Sequence, residues 1–220
     1  FGSSHHDIEQ AAQILADGGL VAMPTETVYG LGADALSDQA VAKIYEAKGR
    51  PSFNPLISHM ASPTMARDYV EWSEAAERLS NSFWPGPMTL ILPAKQDCAI
   101  SQLARAGLPS AAIRVPAHPV AQTLLSKLAR PVAAPSANPS GKISPTTVDH
   151  VIAGLDGRID AVIDGRACEM GVESTIISLL DDPVILRPGN ITIEDIQTVL
   201  GTDIKTLTDV DTITAPGQLT

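Results

Sequence analysis

Apolar runs of strand length alternate with amphipathic stretches of helical period along nearly all of this 220-residue chain, and Pro or Gly marks most junctions. No other feature limits the fold as strongly. The runs at 20–23, 56–60, 88–92, 111–115, 132–134, 161–164, 174–180 and 184–186 are too short for buried helices and are bounded by turn residues, so they read as strands. Asp7 caps a helix with Ile8, Ala11, Ala12 and Leu15 on one face, ended by Gly18 and Gly19. Ser37 or Asp38 caps a second, with Val41, Ile44 and Tyr45 on its core face, ending near Gly49. Ser62 and Pro63 open a short helix, Ser73 opens one carrying Ala76, Leu79 and Phe83, and 118–128, 146–155 and 192–200 supply the rest. Interleaved strands and helices specify an α/β domain in which some strands are close enough in sequence to pair antiparallel.

Composition sharpens what this domain can do. Hydrophobic residues make up 44% and charged residues 18%, so the chain is globular, and with only 4% aromatics its core is built from Ala, Val, Ile and Leu. No apolar run approaches the roughly 20 residues that span a bilayer. A formal net charge of −10 argues against broad nucleic-acid binding, which needs a basic footprint, but a local group of cations can still dominate a pocket. Cys98 and Cys168 are far apart and read as reduced thiols, and with no signal segment the expected location is the cytoplasm. Residues 1–6 are set aside from functional argument. The polar, Thr-rich stretch 202–220, with Pro216 and Gly217, reads as a linker or tail.

Two polar clusters stand out from this background. Lys48-Gly49-Arg50-Pro51-Ser52-Phe53-Asn54-Pro55 follows a helix, and Pro135-Ser136-Ala137-Asn138-Pro139-Ser140-Gly141-Lys142 follows a strand. Each joins cations or small hydrogen-bonding side chains to residues that stiffen the backbone, which suits a rigid site for a phosphate-bearing ligand. Taken singly, Lys48 is a favourable cation at a helix C-terminus, Arg50 a surface charge, and Ser136 and Asn138 turn formers. Arg114 resists such a reading, because it lies inside an apolar strand where an unpaired charge is costly; Arg187 follows a similar run. Gly30-Leu31-Gly32-Ala33-Asp34-Ala35 fits a relaxed dinucleotide fingerprint, but a polar loop separates it from the preceding strand and no acidic residue follows at the required distance, so it reads as a tightly packed turn. There is no Walker loop, nucleophile elbow or zinc-protease motif, and His59, His118 and His150 lack metal-ligand spacing; His59 ends a strand just after the first cluster and can line the same pocket.

The motifs in order resemble the threonylcarbamoyl-AMP synthase (YrdC-like) family. They are Pro24-Thr-Glu-Thr-Val-Tyr-Gly-Leu-Gly-Ala-Asp34, Lys48-Gly-Arg50, Trp84-Pro-Gly-Pro-Met-Thr89, Ala112-Ile-Arg-Val-Pro116, Ser136-Ala-Asn138, Glu173-Ser-Thr-Ile176 and Arg187-Pro-Gly189. The resemblance covers roughly residues 7–200, in the form found in the longer, two-domain members. It implies a twisted mixed sheet flanked by helices, with a concave active-site surface. It also implies a catalytic domain at 7–201 and, at 202–220, a linker toward a C-terminal domain.

The activity it implies converts L-threonine, bicarbonate and ATP, with magnesium, into threonylcarbamoyl-AMP and pyrophosphate. The product feeds a downstream tRNA threonylcarbamoyl transferase machinery; direct contact with tRNA is left open. By resemblance, Lys48 and Arg50 are catalytic. Lys48, Arg50, Asn54, Ser110, Asn138, Thr146 and Arg187 contact ATP, and Thr27, His59, Arg114, Ser136 and Ser174 contact threonine. Glu26, Asp34, Asp164 and Glu173 are carboxylates that can help hold magnesium, but each reads as structural and no metal ligand is assigned. Two rivals are weighed: a carbamoyltransferase module using a carbamoyl-adenylate, and a non-catalytic RNA-binding protein.

Overall fold

The computed structural model describes residues 1–51 and 54–206. The chain opens with α1 (His5–Ala16), β1 (Val21–Met23), β2 (Gly30–Asp34), α2 (Asp38–Lys48), β3 (Ile57–His59), α3 (Pro63–Ala66) and α4 (Glu74–Phe83). The middle holds β4 (Met88–Pro93), β5 (Ser110–Arg114), α5 (Pro119–Leu128) and β6 (Val132–Ala133). Then come α6 (Val148–Leu155), β7 (Ala161–Val162), β8 (Thr175–Ser178), β9 (Val184–Arg187), α7 (Ile193–Leu200) and β10 (Lys205–Thr206).

The strands form one ten-stranded mixed sheet in the order β10-β9-β8-β4-β5-β3-β6-β2-β1-β7. The pairs β3/β5, β4/β8, β1/β7 and β9/β10 are parallel, and the others antiparallel. The α/β class expected from the alternation is therefore the class that forms. No helix among the described residues is long and apolar enough to cross a membrane.

Strand periodicity sorts the side chains into layers. Leu31, Ala33, Leu90, Leu92, Ile113 and Ile177 join the main core with Val41 and Ile44 of α2, Leu79 of α4 and Ile196 of α7. On the other face, Val21, Met23 and Val132 pack against Leu15 of α1 and Leu124 of α5. That cover stops partway across the sheet. Ile57, Ile91, Ala112 and Ile176, with Leu186 beside them, form a small apolar cluster made of strand residues alone. Among the described residues, no helix contributes to this buried cluster, which spans β3, β5, β4 and β8.

Four local expectations change. Helix α1 starts at His5, not after Asp7, because Ser4 is its cap and accepts from the Asp7 backbone N–H at 3.2 Å. Helix α6 starts at Val148, with Thr147 as its cap. The run taken for a turn at 30–35 contains β2. Its glycines serve close packing: a Cβ at Gly32 would lie 2.9 Å from Val132 Cγ1 and 3.1 Å from the Val21 carbonyl. Finally, residues 202–206, expected to begin the linker, include β10, and Ile204 is buried in the core. The remaining expected linker, 207–220, lies outside the described residues, as do Ser52 and Phe53 of the first cluster.

Candidate active site

Three chain crossings build the site. Residues 25–28 form a turn closed by a side chain: Thr25 Oγ1 donates to the Val28 carbonyl at 2.6 Å and accepts from the Thr27 and Val28 N–H groups, each at 3.2 Å. The second polar cluster pairs with the chain just after this turn. The Ala137 N–H donates to the Tyr29 carbonyl at 2.8 Å, the Leu31 N–H to the Pro135 carbonyl at 2.7 Å, and Gly30 bridges Ser136. The third crossing lies at residues 173–175 and 187–191. A Cβ on Gly189 would fall 2.5 Å from the Thr175 nitrogen and 2.6 Å from the Glu173 carbonyl, so only glycine permits that approach.

The two polar clusters meet directly. Helix α2 ends at Gly49, whose φ of +60° turns the chain away. The Lys48 side chain, 3% exposed, donates to the Ser136 carbonyl and, at 2.5 Å, to the Asn138 carbonyl. The Ser140 N–H returns to the Lys48 carbonyl at 2.8 Å. The Lys48 side chain therefore clamps one wall of the site to the other. Burial, and next to it the charge of Arg50, lowers its pKa to about 7, while Glu173 works the other way.

A cavity of about 100 Å³ opens on the uncovered face. It is lined by Thr27, Arg50, His59, Arg114, Ser136, Glu173, Ser174 and Arg187, with Ile57 as part of its apolar floor. The whole expected threonine set (Thr27, His59, Arg114, Ser136 and Ser174) lines it, and so do Arg50 and Arg187 of the expected ATP set. Lys48, Asn54, Ser110, Asn138 and Thr146 do not. Ser110 shares a face of β5 with Ala112 and Arg114 but sits four residues from Arg114, roughly 13 Å along the strand. Asn54 and Asn138 each bury a side-chain oxygen that has no partner among the described residues. The Asn138 amide nitrogen closes its own loop by donating to the Lys142 carbonyl at 2.7 Å. Thr146 Oγ1 lies 3.4 Å from His150 Nδ1, just ahead of α6.

Strand register explains the charged centre. His59 on β3 stands opposite Arg114 on β5. His59 is buried, with Nδ1 unpartnered among the described residues; burial first, then the Arg114 charge, pushes its pKa down to about 3, so it is neutral at ordinary pH. The Arg114 guanidinium reaches Glu26 Oε1 at 2.5 Å and, through Nε, the Gly86 carbonyl at 3.2 Å. These side chains are 4% and 7% exposed, and the second Glu26 oxygen accepts from the Ala117 N–H at 3.0 Å. Arg114 retains donors, because a guanidinium has five and these contacts use two.

Two further guanidiniums, of a kind that can grip phosphate, line the same cavity. Arg50 is half-buried and donates to the Asn54 and Pro55 carbonyls at 3.4 and 3.2 Å. Arg187 donates through Nε to the Ser174 carbonyl and through Nη2 to Ser174 Oγ, both at 3.0 Å, and through Nη1 to Glu173. Ser144 Oγ donates to the other Glu173 oxygen at 2.8 Å. Burial lowers the pKa of both guanidiniums, and Glu173 opposes that effect at each.

Thr25 and Thr89 are neighbours of the site that no assignment from the sequence singled out, whereas Glu26 and Glu173, noted there as carboxylates that read as structural, pair with Arg114 and Arg187. The signal for Glu26 was a carboxylate inside a loop of threonines, in a chain with one arginine buried in a strand. Among the described residues, no group of three or more His, Cys, Asp or Glu is placed to hold a metal ion.

The family described as "Telomere recombination" (Sua5_yciO_yrdC) matches residues 13–189. A threonylcarbamoyl-AMP synthase of Bacillus subtilis is 54% identical over 196 residues, covering 88% of this chain and 56% of that protein. One from Pyrococcus abyssi is 47% identical over 218 residues, covering 96% of this chain and 63% of the relative. The chain thus spans a little over half the length of these relatives. The solved structure of P. abyssi Sua5 complexed with L-threonine superposes with a TM-score of 0.94 at 46% identity, covering 98% of this chain and 64% of that one.

Proposed function

From the premise that the chain belongs to the Sua5/YciO/YrdC family, we propose that it carries the catalytic unit of a threonylcarbamoyl-AMP synthase. The observation behind this reading is one cavity lined by Thr27, His59, Arg114, Ser136 and Ser174 together with Arg50 and Arg187. In this reading the cavity of about 100 Å³ takes threonine. ATP then lies over the adjoining face, from the two arginines past the apolar cluster of Ile57, Ala112 and Ile176 toward Ser110 and Asn54.

The chemistry needs orientation more than an enzyme nucleophile. The threonine amine adds to bicarbonate with loss of water, giving a carbamate. A carbamate oxygen attacks the α-phosphorus of ATP, the bond to the β-phosphate oxygen breaks, and pyrophosphate departs. Arg114, already oriented by Glu26 and Gly86, grips the threonine carboxylate with its remaining donors. Arg50 and Arg187 stabilise charge that develops on the phosphate chain. Lys48 contributes by holding the 136–140 wall in place. Glu173 is the carboxylate lining the cavity, and it is tied to Arg187 and Ser144. The described residues therefore do not form a cage for magnesium; an ion arriving with ATP would rest on phosphate oxygens and water. The product would pass to the tRNA threonylcarbamoyl transferase machinery.

The test is pyrophosphate release from ATP with bicarbonate and each amino acid in turn. Release that requires both L-threonine and bicarbonate supports the reading. No release and no adenylate, with a chain of the relatives' full length also tested, overturns it, and activity with carbamoyl phosphate in place of both points to a carbamoyltransferase.

A further inference from the structure

A hydroxyl has one proton and two lone pairs, so its direction is known once its neighbours' protons are counted. Thr25 spends its proton on the Val28 carbonyl at 2.6 Å. Thr27 Oγ1 lies 2.8 Å away, but both Thr25 lone pairs already face the Thr27 and Val28 N–H groups, so this count fixes no direction for the Thr27 hydroxyl.

At Ser174 the count closes. Its Oγ accepts from Arg187 Nη2 at 3.0 Å and lies 2.8 Å from Thr89 Oγ1. Thr89, on β4 behind the cavity, is fully buried, and its hydroxyl has no other hydrogen-bond partner among the described residues. Were Ser174 the donor, the Thr89 proton would be buried without an acceptor, at a substantial desolvation cost. Thr89 therefore donates, and Ser174 accepts twice. The proton of Ser174 is left for the cavity that Ser174 lines, and the arginine behind it strengthens it as a donor.

We propose that Thr89 is a positioning residue that makes Ser174 a one-way hydrogen-bond donor into the cavity. A ligand must then bring an oxygen acceptor to Ser174, as an amino acid does through a carboxylate or carbamate oxygen. This inference rests on the threonine reading above and deepens it by naming what sets the polarity of the site.

The test is a double-mutant cycle read by calorimetric titration with L-threonine. Thr89→Val keeps the shape but removes the proton that orients Ser174, and should weaken binding by about 3- to 10-fold, the worth of one neutral hydrogen bond. Thr89→Ser restores the hydroxyl and should bind within about twofold of the unsubstituted chain. In a Ser174→Ala background, Thr89→Val should cost less than about twofold, because Thr89 acts through Ser174. Should Thr89→Val not fold, Thr89→Cys, with its weaker donor, serves the same cycle. Unchanged binding by Thr89→Val, failure of Thr89→Ser to restore affinity, or an equal loss in the Ser174→Ala background overturns the proposal. If the unsubstituted chain binds no L-threonine, the functional reading itself fails; if it binds, the cycle judges Thr89 alone.

Discussion

Replacing Glu26 with alanine isolates the buried ion pair beneath the site. Glu26 and Arg114 are 7% and 4% exposed, 2.5 Å apart, and the second carboxylate oxygen also takes the Ala117 N–H. Truncation leaves a guanidinium with one carbonyl partner, Gly86, and little access to water. Breaking one side of such a pair costs about 3–5 kcal/mol, which for a domain of this size lowers the melting temperature by about 6–20 °C. Urea unfolding followed by circular dichroism measures the loss, which added salt should barely change, because buried charges are poorly screened. Replacing both residues with leucine should recover much of the stability, since the uncompensated charge is gone, while abolishing L-threonine binding. A loss below about 1 kcal/mol for Glu26→Ala would show that water or another group reaches Arg114, and the account of a dry, preoriented carboxylate grip would be wrong.

Other perturbations separate structural from ligand-facing roles. Arg50→Ala should reduce pyrophosphate release by about 100-fold or more while stability changes by no more than about 1 kcal/mol, because among the described residues Arg50 hydrogen-bonds two carbonyls alone; an unfolded variant would make Arg50 structural. Lys48 has its pKa lowered to about 7, so above that value the unfolded chain holds a proton that the folded chain has released. Stability should therefore rise with pH from about 7 by up to about 1.4 kcal/mol per unit, and Lys48→Met should flatten the rise. The window for urea titrations closes near pH 8.5, roughly where Cys168, pushed up to about 11, begins to oppose it. Gly189→Ala should destabilise by about 1–3 kcal/mol and weaken L-threonine binding, since its methyl group would press on residues 173–175; wild-type affinity would show that this crossing tolerates displacement.

Much of the architecture was legible locally. Period, capping residues and Pro–Gly punctuation locate seven helices and most strands within a residue or two, because each signal acts over a single turn or strand. The elements that escaped were β2 and β10. In β2, the glycines at 30 and 32 imitate a turn, yet they are there because Val132 and the Val21 backbone approach too closely for a side chain. In β10, two polar residues become a strand only because β9 offers an edge and Ile204 finds the core.

The site divides the same way. The motifs identified which residue types matter, and the strand alternation already marked Arg114 as a charge needing a partner. That the partner is Glu26, 88 residues away, follows from strand order and burial. So does the clasp of Lys48 on the Ser136 wall, which no helix-end rule specifies. Local patterns determined the elements of this protein and which face of each is apolar, since those depend on neighbours in sequence. The tertiary structure decided which polar groups meet, because buried donors and charges are satisfied by whatever the packed sheet brings within 3 Å.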